Sequence, residues 1–256
     1  MNTVPNPESR VLTRARVLGT TAALFITLVA ILMLPVGLVT AFRTRRLYAL
    51  VMRGAALLVL RLYGIRIRVH QSLPFPRTQT VYVSNHTSTI DLFVLVALGL
   101  PNCRFFLSGF LRKLVPLGVL AWMMGTFFTV PQNRPEERRR IFQRAARTLA
   151  RTGESVYLSP EGGRVTTGQI GHFNKGAFHL ATSLGAPIVP MFLRIPAETD
   201  PGRGYDARPG IVDVYVLDAI DTSTWTVEDV ALNSERVRML FVATHKAFSP
   251  GSRHAA

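Results

Sequence analysis

The 256-residue chain carries 30 Lys and Arg against 15 Asp and Glu, a net charge of +15, while 48% of its residues are hydrophobic. That length suits one α/β domain with an added anchor, and the positive balance points away from basic partners and toward nucleic acid or anionic lipid. Cys103 is the only cysteine, which excludes an intramolecular disulfide and a Cys-based zinc cluster and fits a reducing compartment.

The first element separates the two anionic partners. Residues 17–42 contain no charged side chain and are flanked by Arg10, Arg14 and Arg16 on one side and by Arg43, Arg45 and Arg46 on the other. About 20 apolar residues cross a bilayer, so the stretch is long enough to span, and membrane is favoured over nucleic acid. Pro35 and Gly37 interrupt it, and a second apolar segment, residues 47–62, follows with Arg53, Gly54 and Arg61 as breaks. Two such helices also suit a hairpin embedded in one leaflet, with arginines snorkelling to the headgroups. Both flanks are basic, so the Lys/Arg asymmetry does not set an orientation. Residues 1–64 are read as this anchor, 65–248 as the folded domain and 249–256 as a disordered tail.

Residues 65–70 alternate apolar and basic side chains like a short strand, and residues 72–79, with Pro74 and Pro76, read as a linker. Residues 80–83 form a buried strand, and 92–100 an apolar helix ended by Gly99 and Pro101. Strands are expected at 104–107 and 125–130, separated by the apolar run 110–124, which lacks a polar face and reads as either core or membrane-contacting, with core favoured. Residues 134–151 read as an arginine-rich helix, 155–158 as a buried strand, 172–183 as a helix, 187–193 as a strand and 212–216 as a late edge strand. Strands alternating with helices imply an α/β fold: a mixed, partly parallel sheet flanked by helices, with a membrane-embedded helical anchor at the N-terminus.

The most selective chemical signal is Asn85-His86-Thr87-Ser88-Thr89-Ile90-Asp91. Two residues five apart on a straight helix diverge by roughly 140°, so His86 and Asp91 meet only if the histidine lies in a turn before a helix and the aspartate just inside it. The intervening hydroxyl residues favour such a break as helix caps. An imidazole with a carboxylate on one ring nitrogen is a base with a fixed tautomer. A second signal is Ser159-Pro160-Glu161-Gly162-Gly163-Arg164, directly after a strand. Its glycines allow close backbone approach to a ligand, Glu161 can reach a hydroxyl or a local arginine, and Arg164 can take a phosphate bidentately. Lys175 follows, before a helix start where an anion could bind.

In order, the His-x4-Asp turn, the Pro-Glu-Gly-x-Arg loop, Lys175-Gly176-Ala177 and Ala186-Pro187-Ile188-Val189-Pro190 resemble the glycerolipid acyltransferases of the 1-acylglycerol-3-phosphate acyltransferase type. The resemblance covers roughly residues 80–193. It implies that His86 removes the proton from an acceptor hydroxyl, that Asp91 orients it, and that Glu161, Gly162, Gly163 and Arg164 hold the glycerol phosphate. The implied acyl donor is acyl-CoA or acyl carrier protein, the acceptor a lysophospholipid, with no cofactor, no metal and no nucleic acid. The implied site is the cytoplasmic face of an inner membrane, among membrane lipids. Two departures touch acceptor recognition. In the family's second motif an arginine stands where this chain has Pro131, with Arg134 the nearest substitute, and Gly163 stands where threonine is common.

Overall fold

Alternation within the strands builds the molecule in three layers. In the four-residue strands β2 (Val81–Ser84) and β5 (Ser155–Leu158) every side chain is buried, as expected where helices cover both faces of a sheet. Tyr82 and Tyr157 join one hydrophobic cluster, whereas Val81, Val83, Val156 and Leu158 join the other. The computed structural model describes residues 7–248, with side chains from residue 13; the tail expected from residue 249 lies outside the described residues.

Seven strands make one sheet in the order β1-β7-β6-β2-β5-β3-β4. The others are β1 (Ile65–His70), β3 (Cys103–Ser108), β4 (Phe127–Thr129), β6 (Ile188–Arg194) and β7 (Gly210–Val216). All neighbours pair in parallel except β6 and β7, which are antiparallel. The sheet is mixed and mostly parallel. On one face lie α1 (Pro7–Val39), α2 (Arg45–Leu62), α3 (Asp91–Leu98) and α4 (Leu117–Met123). On the other lie α5 (Pro135–Thr152), α6 (Gly176–Leu184) and α7 (Val230–Phe248).

Several expectations need correction. Pro35 does not end the first helix: α1 runs through it for 33 residues, about 50 Å at 1.5 Å per residue. The chain turns instead at Ala41 and Phe42, both at positive φ, where the Phe42 ring occupies the space a side chain at Gly37 would need. Within α1, the 27-residue segment from Thr13 to Val39 is long enough and, past Arg16, apolar enough to cross a membrane. β7 is not an edge strand, because β1 pairs along its outer side. The run 110–124 is only half core: Leu120 and Met123 are buried while Phe110, Val115 and Trp122 are exposed. The helix expected from residue 172 begins at Gly176, since Asn174 is tied to the preceding loop and Phe173 turns into the core against Phe178 and Phe241. α7 had no counterpart in the sequence reading; Val230, Val237 and Phe241 form its buried stripe.

Candidate active site

The site grows from the carboxyl end of β2, where loops of parallel sheets gather ligands. Ser84 closes the strand, its hydroxyl sharing a 2.9 Å hydrogen bond with the buried Tyr157 hydroxyl. The next residue, Asn85, copies a backbone ladder with its side chain. Its Nδ2 donates to the Leu193 carbonyl at 2.9 Å and its Oδ1 accepts the Leu193 N–H at 2.8 Å. That clamp fixes the chain's exit direction against β6, and His86 follows at once.

His86 lies in the turn and Asp91 opens α3. Their side chains meet, Nδ1 to Oδ2, at 2.7 Å. The hydroxyl residues between them make no cap on the helix; the carboxylate reaches backward instead. Oδ2 also accepts the N–H groups of Thr87 at 2.8 Å and Ser88 at 3.0 Å, so one oxygen gathers the turn around itself. Asp91 is 1% exposed, and its negative charge sits favourably in the first turn of a helix. With the carboxylate accepting from Nδ1–H, the Nε2 lone pair is free to take a proton. Nε2 has no hydrogen-bond partner among the described residues, and the ring is 31% exposed.

A second loop is stitched to this turn from the end of β5. Glu161 accepts the His86 N–H on Oε2 at 2.6 Å and the Gly171 N–H on Oε1 at 2.7 Å. The Val165 N–H donates to the His86 carbonyl at 2.8 Å. The Glu161 carboxylate is therefore committed to backbone amides, and its contact with the site runs through His86. Burial pushes its carboxyl up; the hydrogen bonds from Gly171 and His86 and the charge of His86 offset this only in part. Arg164 is exposed and donates to the Thr89 hydroxyl, inside the His86–Asp91 turn.

Gly162 is required on two grounds. Its φ is +69°, and a Cβ there would sit 2.7 Å from Asn174 Nδ2 and 3.1 Å from Gln132 Nε2. A Cβ at Gly163 would meet nothing within 4 Å, so threonine would fit there. Asn174 ties its own segment to the loop through the carbonyls of Pro160, at 2.9 Å, and Glu161, at 3.1 Å, which brings the exposed Lys175 alongside at the start of α6. Arg134 is not turned onto the histidine: it precedes α5 and pairs with Glu137 at 3.2 Å on the surface. Its loop nevertheless adjoins the site, because Gln132 packs against Gly162.

Sequence reasoning passed over Asn85, Tyr157, Gly171 and Gln132. The Asn85 partner lies 108 residues away, and only its place between a strand and the histidine hinted at a role. Beside the site, α2, α3, α4 and β3 line an apolar cleft of about 30 Å³ with Met52, Ala56, Phe93, Val96, Leu117 and Ala121 among its walls. Among the described residues no three His, Cys, Asp or Glu side chains gather as a metal site.

What the arrangement can do is accept a proton at Nε2 while Asp91 stabilises the imidazolium, beside exposed cations and an apolar cleft. Comparison with known proteins places the chain in a family. The acyltransferase family model matches residues 66–194, which contain every site residue named above. The chain is 31% identical over 199 residues to the chloroplastic 1-acyl-sn-glycerol-3-phosphate acyltransferase BAT2 of Brassica napus, covering 75% of this chain and 57% of that one. It is 30% identical over 193 residues to the human 1-acyl-sn-glycerol-3-phosphate acyltransferase alpha, covering 75% of this chain and 68% of that one. The chain thus spans little more than half the length of the plant relative. In fold it matches the crystal structure of the 1-acyl-sn-glycerophosphate acyltransferase PlsC of Thermotoga maritima, with a TM-score of 0.72, 19% identity and coverage of 93% of this chain and 98% of that one. By the family model and the human relative together, the chain belongs to the acyltransferase family.

Proposed function

We propose that the protein transfers a fatty acyl group from an acyl thioester to the free hydroxyl of a lysophospholipid, with 1-acylglycerol 3-phosphate as acceptor and phosphatidic acid as product. The observation that carries the reading is the 2.7 Å His86–Asp91 pair with Nε2 unpartnered on a partly exposed ring. His86 takes the acceptor's hydroxyl proton at Nε2 as the oxygen forms its bond to the thioester carbonyl carbon. The C–S bond then breaks, and the imidazolium returns the proton to the leaving thiolate. Asp91 holds the Nδ1–H tautomer and balances the charge that develops on the ring. No cofactor or metal enters the scheme; acyl-CoA or acyl carrier protein is the donor substrate.

Arg164, beside the turn, and Lys175, at the start of α6, are the cations assigned to the acceptor phosphate, with Arg134 as a third from the neighbouring loop. Glu161, Gly162 and Gly163 shape the loop that holds them. The apolar cleft next to α3 suits an acyl chain, and at about 30 Å³ it has to widen to take one. Membrane placement through α1, on the inner face of the cytoplasmic membrane, brings the site to its acceptor while leaving it open to a soluble donor.

Reconstitution in liposomes tests the reading. With acyl-CoA and a panel of acceptors, thiol release is expected with 1-acylglycerol 3-phosphate and is lost in His86→Ala. Turnover that survives His86→Ala overturns the mechanism. Because Pro131 stands where the motif has arginine, the panel includes a lyso-ornithine lipid, and preference for it would reassign the acceptor while leaving the chemistry intact.

A further inference from the structure

We propose that a cleft at the α1–α2 turn is a second, non-catalytic site that holds the phosphate headgroup of an anionic membrane phospholipid. The cleft measures about 500 Å³ and is lined by Arg43, Thr44, Arg45, Arg46, Asn102 and Glu154. Its one carboxylate is already satisfied: Glu154 pairs with Arg104 at 2.6 Å and with Arg45 at 3.0 Å. Burial pushes the Glu154 carboxyl up, but the hydrogen bond from Arg104 and the charges of Arg104 and Arg45 outweigh it and hold it below its ordinary value. Three arginines, Arg43, Arg45 and Arg46, therefore line the cleft with one acid that Arg45 and the buried Arg104 already neutralise. The Arg43 and Arg46 residues are exposed, and their guanidinium groups have no hydrogen-bond or ion-pair partner among the described residues. α2 starts at this point and adds the positive end of its dipole.

The surroundings choose a lipid over a free anion. Leu38, Leu47 and Leu50 are exposed next to the cleft, and Val39 is 89% exposed, so an anion here has an aliphatic surface beside it for acyl chains. Phe42 and Trp122 meet edge to face at 4.9 Å in the same collar, and aromatic and basic side chains together mark the headgroup level of a bilayer. Basic pockets beside membrane helices take phosphate headgroups.

The cleft is separate from the proposed reaction centre. Asn102 and Glu154 precede β3 and β5, whereas His86 and Glu161 follow β2 and β5, and these three strands run parallel. The two sites thus lie at opposite edges of the sheet, about 13 Å apart along the four residues of β5 alone. A bound phosphate would relieve repulsion among Arg43, Arg45 and Arg46 and fasten the turn to the sheet edge. The inference rests on the membrane placement of α1 and not on acyl transfer, and its readout is binding, so the two stand or fall separately.

The test uses the full-length protein in neutral detergent, followed by native mass spectrometry and thermal melting, with phosphatidylglycerol, phosphatidylcholine or inorganic phosphate added. One phosphatidylglycerol per chain should be retained and should raise Tm. Arg43→Gln/Arg46→Gln should retain it at least tenfold more weakly, with a lipid-free Tm equal to or above that of the parent. Arg139→Gln/Arg140→Gln, which removes the same charge from the exposed face of α5, should retain it fully. Equal retention by both double variants, or equal loss from both, overturns the site. So does a Tm rise of the same size with inorganic phosphate, which would make it a free-anion site, or with phosphatidylcholine, which would make the arginines irrelevant. Displacement of the lipid by stoichiometric 1-acylglycerol 3-phosphate would place it in the acceptor site and overturn the proposal as well.

Discussion

Asp91→Asn separates the charge of the carboxylate from its shape. The amide oxygen can stand where Oδ2 stands and accept from His86 Nδ1, Thr87 N–H and Ser88 N–H as before. The NH2 then replaces Oδ1, which is buried without a hydrogen-bond partner, so no existing bond is broken. Leaving that donor unpaired costs about 1–3 kcal/mol of stability, and the turn survives. What disappears is the negative charge against the imidazolium. Two unit charges about 4 Å apart attract by about 4 kcal/mol at an effective dielectric constant near 20, roughly a thousandfold in rate at about 1.4 kcal/mol per decade. The ring is 31% exposed, and solvent screening reduces this to a loss of about 10²- to 10³-fold. The assay is thiol release from acyl-CoA under single turnover at saturating acceptor, with Tm measured in parallel. A variant that still melts cooperatively and keeps a rate within tenfold of the parent's would refute the electrostatic role of Asp91.

Glu161→Gln leaves one of two backbone donors facing an NH2 group, since a carboxamide accepts at only one end; kcat should fall about 10- to 100-fold, from a penalty of about 1–3 kcal/mol, with little change in acceptor KM, whereas a KM effect alone would mean that Glu161 touches substrate directly. Glu154→Gln reads a pH dependence. The folded-state value of Glu154 is lowered, so its contribution is present above the unfolded value and lost as pH falls through the folded one; the Tm gap between parent and variant should be full at neutral pH, begin to shrink as pH falls past the ordinary glutamate value of about 4.3 and close at lower pH, and a gap that stays constant down to the acid limit of folding would show that charge is not its source. Arg134→Ala should raise KM for phosphate-bearing acceptors by about tenfold, the worth of one exposed charged hydrogen bond at about 1.5 kcal/mol, and leave neutral acceptors unchanged; an equal effect on both would assign Arg134 to α5 stability.

The sequence made the parallel sheet legible because its central strands are continuous apolar runs that cannot be surface strands, and the His86 turn legible because a spacing of five admits one geometry. Elements governed by distant partners were not legible. The place of β7 depends on β1 pairing along its outer side, about 145 residues earlier in the chain. α7 escaped notice because Arg236, Arg238 and Met239 dilute its stripe. The direction of the Glu161 side chain was equally hidden: nothing in Pro160-Glu161-Gly162 announces that both oxygens are spent on the N–H groups of His86 and Gly171. Closeness to Pro131 along the chain points to Arg134, but helical spacing of three gives it Glu137 as its partner.

The packing of α2 makes anchoring and chemistry hard to separate. Tyr48, Met52, Ala55, Ala56, Val59 and Leu60 of α2 are buried in the same cluster as Val94, Leu95 and Ala97 of α3, and α3 is the helix whose first residue is Asp91. Removing residues 1–64 would therefore strip the wall that α3 leans on and would also break the Arg45–Glu154 bridge. Burying Tyr48, Met52, Val59 and Leu60 is worth about 1.5–3 kcal/mol each, roughly 6–12 kcal/mol together, as large as the whole stability of an ordinary domain at about 5–15 kcal/mol. The truncated chain is expected to lack a cooperative melting transition and to aggregate through the exposed α3 face, even in detergent. A soluble, monodisperse truncation that melts cooperatively and turns over a short-chain acceptor would refute this, and would show that the His86–Asp91 turn is held by β2, Asn85 and Glu161 alone.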